Sequence, residues 1–256
     1  MQKLYKKILG IIFPNKCLAC NKIIDCEGLF CNDDWQKLQF ITEPKCRICS
    51  QPFISEFEAH SASSGSHSIL CIKCLTIQPS YDSSITIFRY NDLLKKIVGD
   101  LKYHDGTNLS KKFGKILSQK IAPEVQNYNL IIAVPLHKQR LRERKFNQAI
   151  LLAKAILQNL SNDAKNNLKF YPDILLRTRY TKAQVKLDQK TRAKNLHGAF
   201  SVNKKYLDQI KDSSILLIDD VITTGATLEN CASILKKAGA KKVTVVTIAH
   251  TILDKN

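Results

Sequence analysis

The sequence has no apolar run of the eighteen or so residues that a helix needs to cross a bilayer. Its N-terminus combines lysines with an apolar stretch, but Ile8 to Phe13 is too short for the apolar region of a signal peptide, and no small-residue cleavage site follows. We expect a short amphipathic helix there, ending at Pro14. Internal repeats are absent as well. These absences predict a protein without a membrane span and argue against a repeat architecture.

Acidic residues are scarce relative to basic ones: 22 Asp and Glu stand against 40 Lys and Arg, for a formal net charge of +18. Such an excess favours polyanionic partners, either nucleic acid or a multiply phosphorylated small molecule. Much of the lysine is scattered along the chain, as on a solvated surface. A chain of 256 residues can hold one α/β domain of ordinary size and a smaller module.

The cysteine pattern argues against disulfides. Eight of the nine cysteines lie in the first 74 residues, largely in Cys-x-x-Cys pairs, which in a chain that is not secreted indicates zinc. We expect the ninth, Cys231, to be a small buried apolar residue. Two well-spaced pairs supply four thiolates, enough for a closed structural zinc site without His60 or His67 between them. The ligands of this predicted site are Cys46, Cys49, Cys71 and Cys74.

The first half of this module is less regular. The pair Cys17 and Cys20 is followed by Cys31, but Asp34 stands where a fourth cysteine would complete the pattern. Since carboxylate oxygen can bind zinc, Cys17, Cys20, Cys31 and Asp34 form a candidate second site. Cys26 is an alternative fourth ligand. In a third interpretation this half holds no metal and is stabilised by Trp35 and Phe40.

Residues 81–256 have the pattern of an α/β domain preceded by the module of residues 1–80. Short apolar runs without polar alternation are typical of strands buried on both faces of a parallel sheet. We expect a parallel sheet with helices on both faces. The predicted strands are 85–90, 130–134, 174–176, 215–218 and 242–248, and helical spacing is clear at 93–101 and after Thr227.

The stretch Ser214–Thr227 reads SILLIDDVITTGAT and carries the clearest chemistry. A buried strand ends in Asp219 and Asp220, and a loop with Gly225 then leads into a helix. Backbone N–H groups and the helix dipole at such a loop suit a phosphate monoester. The two carboxylates suit a cis-diol or Mg²⁺. A sugar phosphate would span the expected binding residues Asp219, Asp220, Thr223, Thr224, Gly225, Ala226 and Thr227.

A second chemical segment follows the strand at 130–134. We expect a cationic loop from Pro135, after which Asn147 caps a helix. Arginine forks match phosphate oxygens bidentately and lysine adds point charge, so this loop could receive a pyrophosphate; a solvated basic loop is the alternative. The long polar stretch 177–200 is typical of a mobile lid or binding loop. The candidate pyrophosphate residues are His137, Lys138, Arg140, Arg142 and Arg144.

Asp219 to Thr227 resembles the 5-phosphoribosyl-1-pyrophosphate (PRPP) signature of type I phosphoribosyltransferases. Taken with the paired cysteines, VPLHKQRLRERKFNQA and RTRYTKAQVKLDQKTRAKNLHGAF, the chain resembles the ComF family of competence-associated, phosphoribosyltransferase-like proteins from about Cys17 to Ala249. The resemblance implies a type I phosphoribosyltransferase fold behind a zinc-ribbon module. It also implies a role in natural transformation, a cytoplasmic location, and single-stranded DNA and the uptake helicase as associates.

Two positions depart from the family pattern. Lys145 stands where glycine usually precedes Phe-Asn-Gln, and Asp34 stands where the family usually has cysteine. The first departure bears on the pyrophosphate loop and the second on the first metal site. All the acids and threonines of the PRPP motif, and Gly225, are present.

Three functions fit these observations. The first is a PRPP-binding protein with Mg²⁺ and structural Zn²⁺, in which any group transfer would rely on positioning and electrostatic stabilisation. The second is a non-catalytic DNA-uptake adaptor that contacts single-stranded DNA through its basic surface. The third is a nucleobase salvage phosphoribosyltransferase, ranked last because a zinc module precedes the domain in place of a base-binding hood. The sequence leaves open the acceptor and whether turnover occurs.

Overall fold

A parallel sheet forms the centre of the protein. A computed structural model describes residues 14–24, 28–53, 69–103, 106–180 and 198–252. Five parallel strands lie in the order β1-β8-β6-β2-β3, and β7 pairs with β8 beyond the end of β6. This arrangement confirms the predicted parallel sheet. Its strands are β1 (Ser83–Arg89), β2 (Leu130–Ala133), β3 (Lys169–Phe170), β6 (Ser214–Ile218), β7 (Val221–Ile222) and β8 (Lys242–His250).

Helices cover both faces of the sheet, because successive residues of its strands point to opposite sides. Ile131 and Leu216 pack into one core and Leu217 and Val245 into the other. Buried residues of α3, α4 and α6 complete the first core, and those of α9 complete the second. These helices are α3 (Asp92–Tyr103), α4 (Gly106–Ile121), α6 (Gln148–Asn159) and α9 (Ala226–Lys237).

Close packing between α4 and α6 depends on a glycine. A Cβ placed on Gly114 would lie 2.4 Å from Cβ of Ala155, so no larger residue fits without moving the helices apart. Gly106, where α4 begins, lies under the Phe146 ring in the same way: an added Cβ would come within 2.2 Å of that ring. Gly106 therefore lets the segment around Phe146 lie close to the start of α4, and Gly114 lets the second half of α6 pack closely on α4.

The strand expected at 174–176 does not join the main sheet. It is β4 (Leu175–Arg177), which pairs antiparallel with β5 (Phe200–Val202) in a separate two-stranded sheet that packs against α9. The main sheet is extended beyond β2 by β3 instead. An apolar run alone predicts burial and does not distinguish these two environments. Shorter elements of this domain include α7 (Asn162–Asn167), α8 (Leu207–Ile210) and two 3₁₀ turns, Ala122–Asn127 and Lys204–Tyr206.

The described residues among the first 80 pack against both faces and one edge of this sheet. Cys17 lies in the core on the α3 side, whereas Cys46 lies in the core on the α9 side. Between them the chain runs along the edge strand: Ile41 N–H donates to Ile87 O at 2.8 Å, and Arg89 N–H donates to Gln39 O at 2.7 Å. Two short helices belong to this part of the chain, α1 (Asn32–Trp35) and α2 (Ile72–Thr76).

Several expectations fall outside the described residues. These are the N-terminal helix before Pro14, Cys26, His60, His67 and most of the polar stretch, residues 181–197. Within the part of the chain that the structure describes, no helix is both long enough and apolar enough to traverse a bilayer.

Candidate ligand cleft and metal clusters

Asp219 and Asp220, the acid pair, lie between β6 and β7, two strands that pair with β8 one after the other. Ile218 at the end of β6 pairs with Val246, and Val221 at the start of β7 pairs with Ala249, so the register along β8 is the same on both sides. Asp219 N–H donates to Val246 O at 3.1 Å. The two acids are thus held by the sheet on both sides, at the carboxyl end of β6 where open α/β sheets bind ligands.

Asp219 and Asp220 differ in their surroundings. Asp220 is 6% exposed, and its Oδ1 accepts from Val221 N–H at 2.8 Å. Its Oδ2 lies 2.9 Å from Lys102 Nζ and 3.5 Å from Gln148 Nε2. For Asp219, burial and then the negative charge of Asp220 raise the pKa to about 8. Asp220 is therefore neutralised by a lysine, while Asp219 is a much weaker acid than an ordinary aspartate.

Lys102 is a residue of this site that the sequence analysis did not identify. It lies in the last turn of α3, and its side chain is 26% exposed. Burial opposes its charge, but the Asp220 carboxylate outweighs burial, so the pKa of Lys102 is raised. The sequence signal was a single lysine at a helix end. Only the packing of α3 against the sheet brings it to the acids.

The expected phosphate loop leads into α9 through a left-handed glycine. Gly225 has φ +80° and is the N-cap of α9, which begins at Ala226, one residue earlier than expected. A Cβ on Gly225 would find its nearest neighbour 4.0 Å away, so glycine is needed there for its conformation and not for space. Thr223 is exposed and Thr224 to Thr227 are half-buried. The loop thus presents N–H groups and hydroxyls at a helix N-terminus.

The basic segment is a helix and not the expected loop. Lys138–Arg144 forms α5, whose N-cap His137 accepts from Gln139 N–H through Nδ1 at 3.2 Å. Since none of its residues is buried, this helix lacks the apolar periodicity that would have predicted it. Arg140 and Arg144, four residues apart, lie on one face and line the cleft with the acids. His137, Lys138 and Arg142 are not among the residues that line it.

The turn after α5 keeps the conformation that glycine favours. Lys145 has φ +65°, and its N–H donates to Leu141 O at 2.8 Å. The lysine therefore closes the helix as a left-handed cap, at a backbone cost of roughly 1–2 kcal/mol relative to glycine. Asn147 caps α6 as expected: its Oδ1 accepts from Ala149 N–H at 2.9 Å and from Ile150 N–H at 3.4 Å.

A third arginine lines the same cleft from β4. The guanidinium of Arg177 lies 5.2 Å from the centre of the Phe200 ring. Burial, and then repulsion from Arg140, lower the pKa of Arg177. In the sequence, Arg177 stands at the start of the polar stretch with no further sign of a role in the cleft. Four cationic side chains therefore surround the two acids: Lys102, Arg140, Arg144 and Arg177.

Four cysteines meet in the second metal cluster, as expected. The Sγ atoms of Cys46, Cys49, Cys71 and Cys74 all lie within 4.8 Å of one another. The Cys49 and Cys71 sulfurs are 3.6 Å apart. Tetrahedral zinc with bonds of about 2.3 Å requires sulfurs about 3.8 Å apart. The donor set and its spacing fit zinc.

The first metal cluster joins Cys17, Cys20 and Cys31 with Asp34. Asp34 is 5% exposed; its Oδ2 lies 3.2 Å from Cys17 Sγ, and its Oδ1 lies 3.2 Å from Lys37 Nζ. Hydrogen bonds from Cys20 and then Cys17 lower the pKa of Asp34, which keeps it an anionic donor. Three thiols and a carboxylate at this spacing fit zinc. The aromatic contacts of the third interpretation exist beside the cluster: the Trp35 and Phe40 rings are 5.3 Å apart.

Both halves of the chain are similar to known proteins. Residues 8–75 match the double zinc ribbon domain, and residues 147–256 match the phosphoribosyl transferase domain. Competence protein F of Haemophilus influenzae is 29% identical over 185 residues, covering 70% of this chain and 78% of that protein. DNA utilization protein YhgH of Escherichia coli K12 is 26% identical over 187 residues, 71% of this chain and 78% of the relative. Competence protein ComFC of Bacillus subtilis is 25% identical over 225 residues, 84% of this chain and 81% of the relative.

Solved structures give weaker likenesses. The glutamine PRPP amidotransferase of B. subtilis aligns with a TM-score of 0.35 and 21% identity, over 56% of this chain and 27% of that one. A hypoxanthine phosphoribosyltransferase of Staphylococcus aureus aligns with a TM-score of 0.31 and 15% identity, over 57% and 68%. The chain thus combines a match to the double zinc ribbon domain with a match to the phosphoribosyl transferase domain, and it is similar over most of its length to relatives named for competence and DNA utilization.

Proposed function

We propose that this protein binds PRPP in the cleft at the carboxyl ends of β2 and β6, and that it acts in natural competence and DNA uptake. One observation carries the proposal: the acid pair, Thr227 in the first turn of α9 and four cationic side chains line one cleft. These groups come from distant parts of the chain, and each matches a different part of a phosphorylated, pyrophosphorylated ribose. The match to the phosphoribosyl transferase domain supports the same ligand.

Each part of the ligand has its own receptor in this proposal. Backbone N–H groups and hydroxyls of residues 223–227 hold the 5-phosphate, because a helix N-terminus attracts anions. Asp219 and Asp220 hold the ribose hydroxyls. Arg140 and Arg144 hold the pyrophosphate, and Arg177 adds a third guanidinium to the same anion. Mg²⁺ would supply further neutralising charge to the pyrophosphate. Transfer would then need positioning and electrostatic stabilisation of the leaving pyrophosphate, with no general base.

Calorimetric titration of the zinc-replete protein with PRPP, with and without Mg²⁺, tests this function. We expect Mg²⁺-dependent binding, and its loss in the double variant Asp219→Ala, Asp220→Ala. Asp208→Ala is the matched control, because Asp208 is an exposed acid on α8, away from the residues that line the cleft. No heat of binding at millimolar PRPP, or unchanged affinity in the double variant, would reject the site. Release of pyrophosphate on adding free nucleobases would favour a salvage enzyme.

A second function, binding of single-stranded DNA, is favoured by the net charge and by relatives named for competence and DNA utilization. The protein would then act in the cytoplasm beside the uptake helicase. If about six phosphates are neutralised, log K against log salt should fall with a slope of roughly −4 on single strands and roughly −5 on duplex. A flat salt dependence would reject this function.

We propose a structural role for zinc in both clusters. Closed sites with four protein donors stabilise small modules and leave no position for a substrate. Residues 1–80 would form this metal-stabilised unit, and residues 81–256 the phosphoribosyltransferase-like unit. We expect the purified protein to contain two zinc ions per chain, which a measurement of its zinc content tests.

A further inference from the structure

Both carboxylate oxygens of Asp220 already have partners within the protein. Its Oδ1 accepts from Val221 N–H at 2.8 Å, and its Oδ2 accepts from Lys102 at 2.9 Å and more weakly from Gln148 at 3.5 Å. The two partners of Oδ2 come from two different helices, Lys102 from α3 and Gln148 from α6. A ribose hydroxyl or a divalent cation can reach this carboxylate oxygen only if Lys102 gives way.

Lys102 can move without disturbing the fold. Its ammonium sits at the end of a flexible four-carbon stem with three rotatable donors, unlike the rigid fork of arginine. Its side chain is 26% exposed and lines the cleft together with Arg140 and Arg144. The next residue, Tyr103, accepts from Arg144 Nη2 at 3.4 Å through its hydroxyl. The end of α3 therefore contacts both Asp220 and Arg144, and Lys102 lines the same cleft as the arginines.

We propose that Lys102 is an exchangeable counter-ion, which neutralises Asp220 in the free protein and transfers to a phosphoryl oxygen when the phosphorylated sugar binds. This inference rests on the proposed function, since it concerns the same cleft and ligand. The transfer makes the acid pair available only to a ligand that brings its own negative charge. Free divalent cations are kept out, because they would have to displace an ammonium from a cleft with three more cations around it.

Replacing Lys102 should change the affinities for cation and ligand in opposite directions. In Lys102→Met the two carboxylates keep their positions and lose their counter-ion, so free Mn²⁺ should bind about tenfold more tightly or better. The phosphorylated ligand loses a cationic partner, so Mg²⁺-PRPP should bind about tenfold more weakly. A lysine with a merely structural role would lower both affinities together. The opposite signs are the signature of exchange.

Calorimetric titration with Mn²⁺ alone, and separately with PRPP at saturating Mg²⁺, measures both affinities on the zinc-replete full chain. Lys96→Met is the matched control, since Lys96 lies on the same helix and its Nζ donates to Ala19 O at 2.7 Å, away from the cleft. It should change neither affinity. Lys102→Arg keeps the charge and should restore exclusion of Mn²⁺. Adding Asp219→Ala and Asp220→Ala to Lys102→Met should remove the new Mn²⁺ binding, which locates it at the acid pair.

Three results would overturn the inference while wild-type protein still binds PRPP. They are unchanged affinities in Lys102→Met, a parallel loss of both affinities, and new Mn²⁺ binding that survives removal of the acids. If wild-type protein does not bind PRPP, the proposed function itself fails and takes this inference with it. The PRPP titration of the wild type therefore distinguishes the two failures.

Discussion

The two metal clusters differ in how deeply the fold surrounds them. In the second cluster Cys46, Cys49 and Cys74 are buried, whereas in the first Cys20 is exposed and Cys31 is half-buried. The second cluster lies in the core that contains α9, the helix that begins at the expected phosphate loop. The first lies against α3. A carboxylate has replaced a thiolate only in the more exposed cluster.

Their attachments to the sheet differ in the same direction. The second cluster is tied to β1 by a buried pair, in which Ser50 Oγ lies 2.9 Å from Ser84 O and 2.7 Å from Ser84 Oγ. The first is tied by Lys96 to Ala19 O and by a row of rings, since Phe40 lies 4.9 Å from Phe88. The comparison indicates that the second cluster is part of the domain core, while the first is a peripheral site that tolerates a weaker ligand.

The strongest test removes one thiolate from each cluster. Cys46 is completely buried, so Cys46→Ser should lose the second metal and destabilise the protein on the order of 3 kcal/mol or more. Cys20→Ser should cost about 1 kcal/mol, because the exposed site relaxes into solvent. Zinc content and denaturant unfolding measure both effects. Equal losses of stability would contradict the distinction between the clusters.

A smaller effect is expected from the attachments. Ser50→Ala leaves buried Ser84 without its side-chain partner and should cost about 1–3 kcal/mol. Lys96→Met removes an exposed donor and should stay within about 0.5 kcal/mol. Unfolding curves of the two variants, taken at the same zinc loading, decide between them. A larger effect from Lys96 would reverse the ranking of the clusters.

Replacing Asp34 by cysteine should make the first cluster hold zinc more tightly, with little effect on the stability of the fold. Asp34→Cys replaces a hard oxygen donor by the softer sulfur that zinc sites prefer, so zinc should leave about tenfold more slowly in the presence of a chelator. Asp34→Asn, which removes the charge, should release zinc faster than wild type. The fast phase of zinc release, followed with a colorimetric chelator, reports this site. An unchanged rate in Asp34→Cys would place the labile metal elsewhere.

The pH dependence of stability reports on the titration of Asp219, which belongs to neither metal cluster. Asp219 has a pKa raised to about 8, well above that of an unfolded aspartate, so the folded state holds a proton that the unfolded state has lost. Its contribution to stability is therefore greatest at low pH and declines as pH rises from about 4 to about 8. Asp219→Asn lacks this decline. The difference in Tm between Asp219→Asn and wild type should grow from pH 5 to pH 8 and level off above pH 9; a constant difference would rule out the titration.

The parts of the fold that could be predicted have strong local signals. The continuous apolar runs at β2 and β6 indicated a parallel sheet with helices on both faces. The Cys-x-x-Cys spacing indicated the metal clusters. The loop at Gly225 was recognisable because its residue types and order are both unusual. Each of these signals is contained within a few consecutive residues, and each was found in the structure where the sequence had put it.

The unpredicted parts depend on packing between distant segments. Lys102 and Arg177 reach the cleft only through the placement of α3 and β4, which no local pattern encodes. α5 has no buried residue, so its periodicity was invisible, and β3 is only two residues long. Spacing along α5 then separates Arg140 and Arg144 from Arg142. The sequence predicted a cationic segment after β2, and the helix determines which of its cations line the cleft.

The backbone pairing of residues 39–41 with β1 has a consequence for how the protein behaves in a crowded cell. An exposed edge strand offers unpaired N–H and C=O groups to any other extended chain, and is a common starting point of aggregation. Here the outer side of β1 bonds to Gln39 and Ile41 of the same molecule. The metal-binding module thus protects the sheet against pairing with a second copy, and a chain truncated before Ser83 would present that edge to its neighbours.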